Sequence, residues 1–182
     1  MQDRLQTFII LSFTYIISYA LTSGFVYPLQ STLLPNVSDK TGLLFIPHGI
    51  RILSIYFFGW QAILFLLPSS YLMWFLSVYS DGLDLSFYQP IISLVACYAG
   101  VKFVEILFSI RPQTLDLTAW KFLLIAGLLG SIFNGIGLTF SQHEADFSWH
   151  ILGYVIGDVA GLMTSLVILI YIFRFSRQYR EN

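Results

Sequence analysis

The sequence predicts an all-α fold, a polytopic membrane helix bundle of about six transmembrane helices, and three observations lead there. Of the 182 residues, 57% are hydrophobic and only 10% are charged, whereas a soluble domain carries about 25% charge. The mean hydropathy is +0.76, beyond what a soluble globule sustains with so little charge for its surface. Apolar runs of span length recur between short polar connections, and six spans of about 20 residues would use about 120 residues. What remains is too short for a separate soluble catalytic domain, and no repeat or linker divides residues 1–182, which read as one integral membrane domain.

The first apolar run covers 7–27, with only Asp3 and Arg4 as charges before it. It is too long for the apolar part of a signal peptide and lacks a small-x-small cleavage site, so it reads as a retained span. The polar stretch 28–41, with Pro35, Asn36, Asp39 and Lys40, is a loop. Residues 42–79 are too many for one span and just enough for two. Gly59-Trp60-Gln61 is the best turn, because Gly ends helices and Trp favours the membrane interface. That predicts a hairpin of 42–58 and 61–79, its second arm kinked at Pro68; a re-entrant pair is the alternative. After the loop at Asp81, Gly82 and Asp84 come spans at 87–110, 118–140 and 149–173, then a tail with Arg174, Arg177 and Arg180.

The charges orient the chain. With the amino terminus inside, Arg4, Arg111, Lys121, Arg174, Arg177 and Arg180 fall on the inner side and Lys40 alone among basic residues outside. By the positive-inside rule both termini face the cytoplasm, across the inner membrane of a bacterium. A net charge of -1 excludes the basic field of a nucleic-acid binder. The one cysteine, Cys97, offers neither a disulfide framework nor a cysteine metal cluster.

Arg51, Lys102, Glu105 and Asp158 lie within apolar spans, where charge costs roughly 2.5–3.5 kcal/mol on insertion scales. Lys102 and Glu105 are three residues apart and form a local structural pair near the cytoplasmic end. Arg51 and Asp158 lie about 13 Å below the outer surface at about 1.5 Å per residue. They invite either a salt bridge that specifies the fold or a pocket. In the pocket reading the arginine receives an anionic group and the aspartate a cationic or hydroxyl group. His48 shares a helix face with Arg51, Asn134 lies at similar depth, and Tyr154 precedes Asp158 by one turn. His48, Arg51, Asn134, Tyr154 and Asp158 are therefore the candidate ligand-binding set. His48, His143 and His150 have no ligand-like spacing, so neither metal nor haem is expected.

Gly153, Gly157 and Gly161 form a small-xxx-small stripe that lets another helix approach. Gly127, Gly130, Gly135 and Gly137 suggest a second close contact. Trp60, Trp74, Trp120 and Trp149 fall near predicted helix ends, as in an interface belt. No serine-histidine-acid, phosphate-loop or paired-carboxylate arrangement stands out, so no enzyme and no cofactor is expected.

Two segments carry a resemblance. Ile46-Pro47-His48-Gly49-Ile50-Arg51 followed by Phe58-Gly59-Trp60-Gln61, and Gly157-Asp158-Val159-Ala160-Gly161 after Trp149, are similar to parts of the MASE-type membrane-associated sensor domains. Those domains carry more helices and lead into a cytoplasmic output enzyme, whereas this chain ends nine residues after its last predicted span. The resemblance implies a sensing membrane core that signals through a separate partner. In size and topology the chain also resembles the S subunits of energy-coupling-factor transporters. The expected function is a small-molecule-binding membrane module, sensory or transport-related, embedded in the lipid bilayer and acting through a cytoplasmic or membrane protein partner. A structural or assembly subunit of a larger membrane complex is the alternative.

Overall fold

A computed structural model describes residues 2–33, 42–80, 85–109, 117–142 and 147–181, and every regular element among them is helical. We label them α1 (Gln2–Leu21), α2 (Tyr27–Leu33), α3 (Ile46–Phe58), α4 (Gln61–Ser80), α5 (Gln89–Phe108), α6 (Leu117–Gln142) and α7 (Phe147–Glu181). The chain is a multi-pass helical bundle, with five stretches among the described residues long and apolar enough to cross a membrane. The expected loop ending in 34–41, the turn at 81–84, Arg111 and His143 lie partly or wholly outside the described residues.

α1 and α2 form one long rod joined by a π-helical turn, Thr22–Val26, in which Tyr27 N–H donates to Thr22 O. Pro28 explains the widening: it lacks an N–H for the helical ladder and its ring crowds the preceding turn. The rod is longer than the predicted 7–27, continuing to Leu33.

The segment predicted as a 42–58 helix is shorter. Residues 42–45 are not helical, and α3 begins at Ile46 with Pro47 in its first turn, where a missing N–H costs nothing. At 13 residues α3 is about 20 Å long, short of a hydrocarbon core of about 30 Å. Nearly all of it is buried, because α1, α4, α5, α6 and α7 all pack on it. Irregular backbone at membrane depth survives only where protein satisfies it. Here Leu43 N–H donates to Gln30 Oε1 at 2.8 Å and Phe45 N–H to Gly157 O at 2.9 Å. The expected turn at Gly59 is present, with a φ of 62° that only glycine adopts freely.

Contacts between elements fix their directions. Tyr15 and Tyr19 of α1 meet Arg51 and Phe45, so α1 and α3 are antiparallel. Phe8 and Tyr19 meet Phe65 and Ser77, so α4 runs with α1. Ser93 meets Asn134, and Gly100 packs on Ala126 and Gly130, so α5 and α6 are antiparallel. Gly135 packs on Ile151 and Gly127 on Leu162, which reverses α7 again. The amino terminus, the Gly59 turn, the α5–α6 connection and the carboxyl-terminal end of α7 therefore share one end of the bundle.

The core is a layer of Ile52, Ile55, Val104, Leu123, Leu162 and Leu166, each essentially inaccessible. Lipid tails are as apolar as these side chains, so dense packing rather than transfer from water holds helices together here. The α5–α6 contact is backbone on backbone, since a Cβ on Gly100 would meet Gly130 N at 2.5 Å.

Candidate functional site

The last-helix glycines do the work expected of a small-residue stripe, but their partner is not a helix. A Cβ on Gly157 would meet Gly42 O at 2.0 Å, and one on Gly161 would meet Phe45 O at 1.9 Å. The groove of α7 is thus filled by the non-helical approach to α3. Gly153 is half-buried one turn earlier. This seating delivers the first turn of α3 into the bundle at the depth of Asp158.

His48, fully buried, is the residue so delivered. Its Nδ1 lies 3.2 Å from Asp158 Oδ2, and its Nε2 donates to the Gly127 carbonyl at 3.1 Å. Cys97 Sγ stands 3.7 Å from the same Nδ1. Asp158, 2% exposed, also accepts from Ser131 Oγ at 2.8 Å and more distantly from Asn134 Nδ2 at 3.5 Å. Ser93 Oγ donates to Asn134 Oδ1 at 2.8 Å and so orients that amide toward the carboxylate. Four helices, α3, α5, α6 and α7, supply one connected polar network around a single carboxylate. Satisfied in this way, such a network rigidifies a core, and removing one member of a buried charged pair costs about 3–5 kcal/mol.

Of the candidate set, His48, Asn134 and Asp158 come together. Arg51 does not pair with Asp158, so the salt bridge, one of the two readings, is not formed. Three residues along α3 is about 60° short of a full turn and about 4.5 Å of rise. That rotation turns Arg51 away from the side His48 presents and toward α1. Its Nη2 donates to Tyr15 Oη at 2.5 Å, and its Cζ lies 5.3 Å from the Tyr15 ring centroid and 5.6 Å from that of Phe45. Arg51 is 5% exposed and its Nε has no hydrogen-bond partner. Tyr154 is half-buried on α7, a turn before Asp158. Lys102 and Glu105 pair as expected, at 2.7 Å and part-exposed.

Ser93, Cys97, Ser131, Gly127 and Tyr15 were not anticipated. The spacing of Ser131 and Asn134, three apart on one helix, was a usable signal, as was that of Ser93 and Cys97, four apart. Nothing distinguished Tyr15 among 11 tyrosines. Among the described residues no group of three or more His, Cys, Asp or Glu side chains is placed to hold a metal ion. Compared with protein-family models, curated proteins and solved structures, the chain matches none of them.

Proposed function

We propose that this protein is a non-enzymatic, small-molecule-binding membrane module, sensory or transport-related, that acts through a separate protein partner. The observation that carries the reading is Arg51: a buried guanidinium with no carboxylate bonded to it among the described residues, its Nε unpartnered. An ionisable group inside a membrane bundle is costly and normally serves a function. Arg51 receives an anionic group of the ligand through that free N–H. Asp158, with Asn134 reaching it from α6 and Tyr154 one turn away on α7, receives a hydroxyl or cationic group. Such a ligand draws α3 toward α7, and a partner at the end of the bundle that carries both termini reads the shift. The excess of basic residues read from the sequence on that side supports a cytoplasmic location for this end by the positive-inside rule, and the resemblance to MASE-type sensor domains is in keeping with a separate output.

An assembly subunit is the second reading, favoured by the fully engaged Asp158. Native mass spectrometry of the gently purified protein separates the two. A bound small molecule that is lost in both Arg51→Gln and Asp158→Asn supports the proposal and gives the ligand class by its mass. Co-purifying protein subunits without a small molecule overturn it in favour of assembly.

A further inference from the structure

Arg51 and Asp158 each keep an unused bonding position inside the bundle. Arg51 is 5% exposed and its Nε donates to nothing. Asp158 is 2% exposed, and Ser131, Asn134 and His48 all approach its Oδ2. Among the described residues no hydrogen bond reaches Oδ1. A carboxylate offers about four acceptor positions over its two oxygens, so this one has capacity left. His48 adds no charge: Nε2 donates to Gly127 O and Nδ1 takes the Cys97 thiol, the pattern of a neutral ring. What remains is a positive donor on α3 and a negative acceptor on α7.

Phe45 spans the interval between them. Its N–H bonds to the carbonyl of Gly157, the residue before Asp158, and its ring lies 5.6 Å from Arg51 Cζ. Along α3, His48 reaches Asp158, and Arg51 follows three positions later, about 5–6 Å away between Cβ atoms. Tyr27 packs over Gly42 and interacts electrostatically with both Arg51 and Asp158. The two charged groups are thus close enough for one small molecule to meet both, beside Phe45 and Tyr27.

Charge decides the class of molecule. Arg51 and Asp158 sum to zero, and an uncompensated charge at membrane depth is costly. A ligand with a net charge would leave such a charge in the bundle. A neutral polyol would meet both groups without charge-assisted hydrogen bonds, which are about twice as strong as neutral ones. A carboxylate and an ammonium on one molecule satisfy both free positions and keep the sum at zero.

We propose that the ligand is a zwitterion, an amino acid or close analogue, held by its carboxylate on Arg51 Nε and by its ammonium on Asp158 Oδ1. This rests on the reading of the chain as a small-molecule module and names what that module holds.

The test follows thermal unfolding of the full chain in lipid nanodiscs with each proteinogenic amino acid, and with γ-aminobutyrate, at millimolar concentration. At least one is expected to stabilise the protein in a dose-dependent way. Its methyl ester and its N-acetyl derivative each lack one charge and are expected to bind about ten- to a hundredfold more weakly. In Arg51→Gln the acid and its ester are expected to bind alike; in Asp158→Asn the amine and its N-acetyl form are. A derivative as effective as its parent on the wild type overturns the proposal, and so does the absence of any stabilising zwitterion. Should either variant fail to fold, the derivatives on the wild type still decide. Native mass spectrometry keeps the two readings apart. A bound molecule with a net charge overturns the zwitterion and leaves the small-molecule module standing, whereas an empty protein that no zwitterion stabilises overturns both.

Discussion

His48 and Asp158 meet at 3.2 Å although 110 positions separate them in the chain. Their contact depends on Gly157 and Gly161, which admit the non-helical approach to α3 against the backbone of α7. The polar centre and the glycine groove are therefore one device. The groove sets the height of α3, and the height brings His48 level with the carboxylate.

The groove can be tested without touching the charges. In Gly161→Ala the new Cβ would overlap Phe45 O and Ile46 N, backbone atoms that cannot rotate away. Overpacking of a well-filled site costs about 1–3 kcal/mol, and here the strain falls on the segment that positions His48. Thermal unfolding in detergent is expected to show a clear loss of stability. Gly24→Ala is the matched control, since nothing lies within 4 Å of its Cβ position. Its unfolding temperature is expected to hold or rise slightly, because alanine is the better helix former by up to about 1 kcal/mol.

Arg51 gives a second prediction. Tyr15 supplies both a hydroxyl acceptor and a ring face to a guanidinium buried in the bundle. Tyr15→Phe keeps the ring and removes the oxygen, leaving a buried charged donor without its acceptor. Such a loss costs about 1–3 kcal/mol. The same thermal assay is expected to show a drop of that size, and Arg51→Met combined with Tyr15→Phe is expected to recover part of it. No recovery in the double variant would mean that Arg51 is held by something other than this hydroxyl.

The two charged pairs show what the sequence could and could not reveal. Lys102 and Glu105 were legible because a spacing of three on one helix makes neighbours whatever the helix packs against. Of the two readings for Arg51 and Asp158, the salt bridge is not formed, because shared depth does not imply contact. α3 is surrounded on all sides, so a turn of about 60° between residues 48 and 51 selects a different neighbouring helix. The start of α3 has a local signal that the predicted arm of 42–58 does not use: Pro47 suits the first turn of a helix. That the residues before it would lie in a glycine groove depends on α7, and no local pattern encodes it.

Lys102 and Glu105 also supply a negative control. They are part-exposed near the end of α5 and touch each other through a single local contact. Pairs of this kind contribute about 0.2–1 kcal/mol. A double-mutant cycle through Lys102→Ala and Glu105→Ala is expected to return a coupling energy inside that range. A cycle through His48→Gln and Asp158→Asn is expected to return at least twice as much, since both partners there are buried.

The broken crossing makes the last prediction. α3 covers about 20 Å, and the four non-helical residues before it, with a bend at Leu43, add at most about 13 Å at about 3.3 Å each, which together reach a hydrocarbon core of about 30 Å. The non-helical segment and α3 thus complete one crossing between them, although neither is long enough alone. α4 then returns antiparallel after the Gly59 turn. Reporter domains fused after Gly59 and after Ser80 are accordingly expected to lie on opposite sides of the membrane, with the Gly59 fusion on the side of the amino terminus. Same-side reporters would make α3 and α4 a re-entrant pair. The termini would still share one side, because removing two crossings leaves the even number α1, α5, α6 and α7.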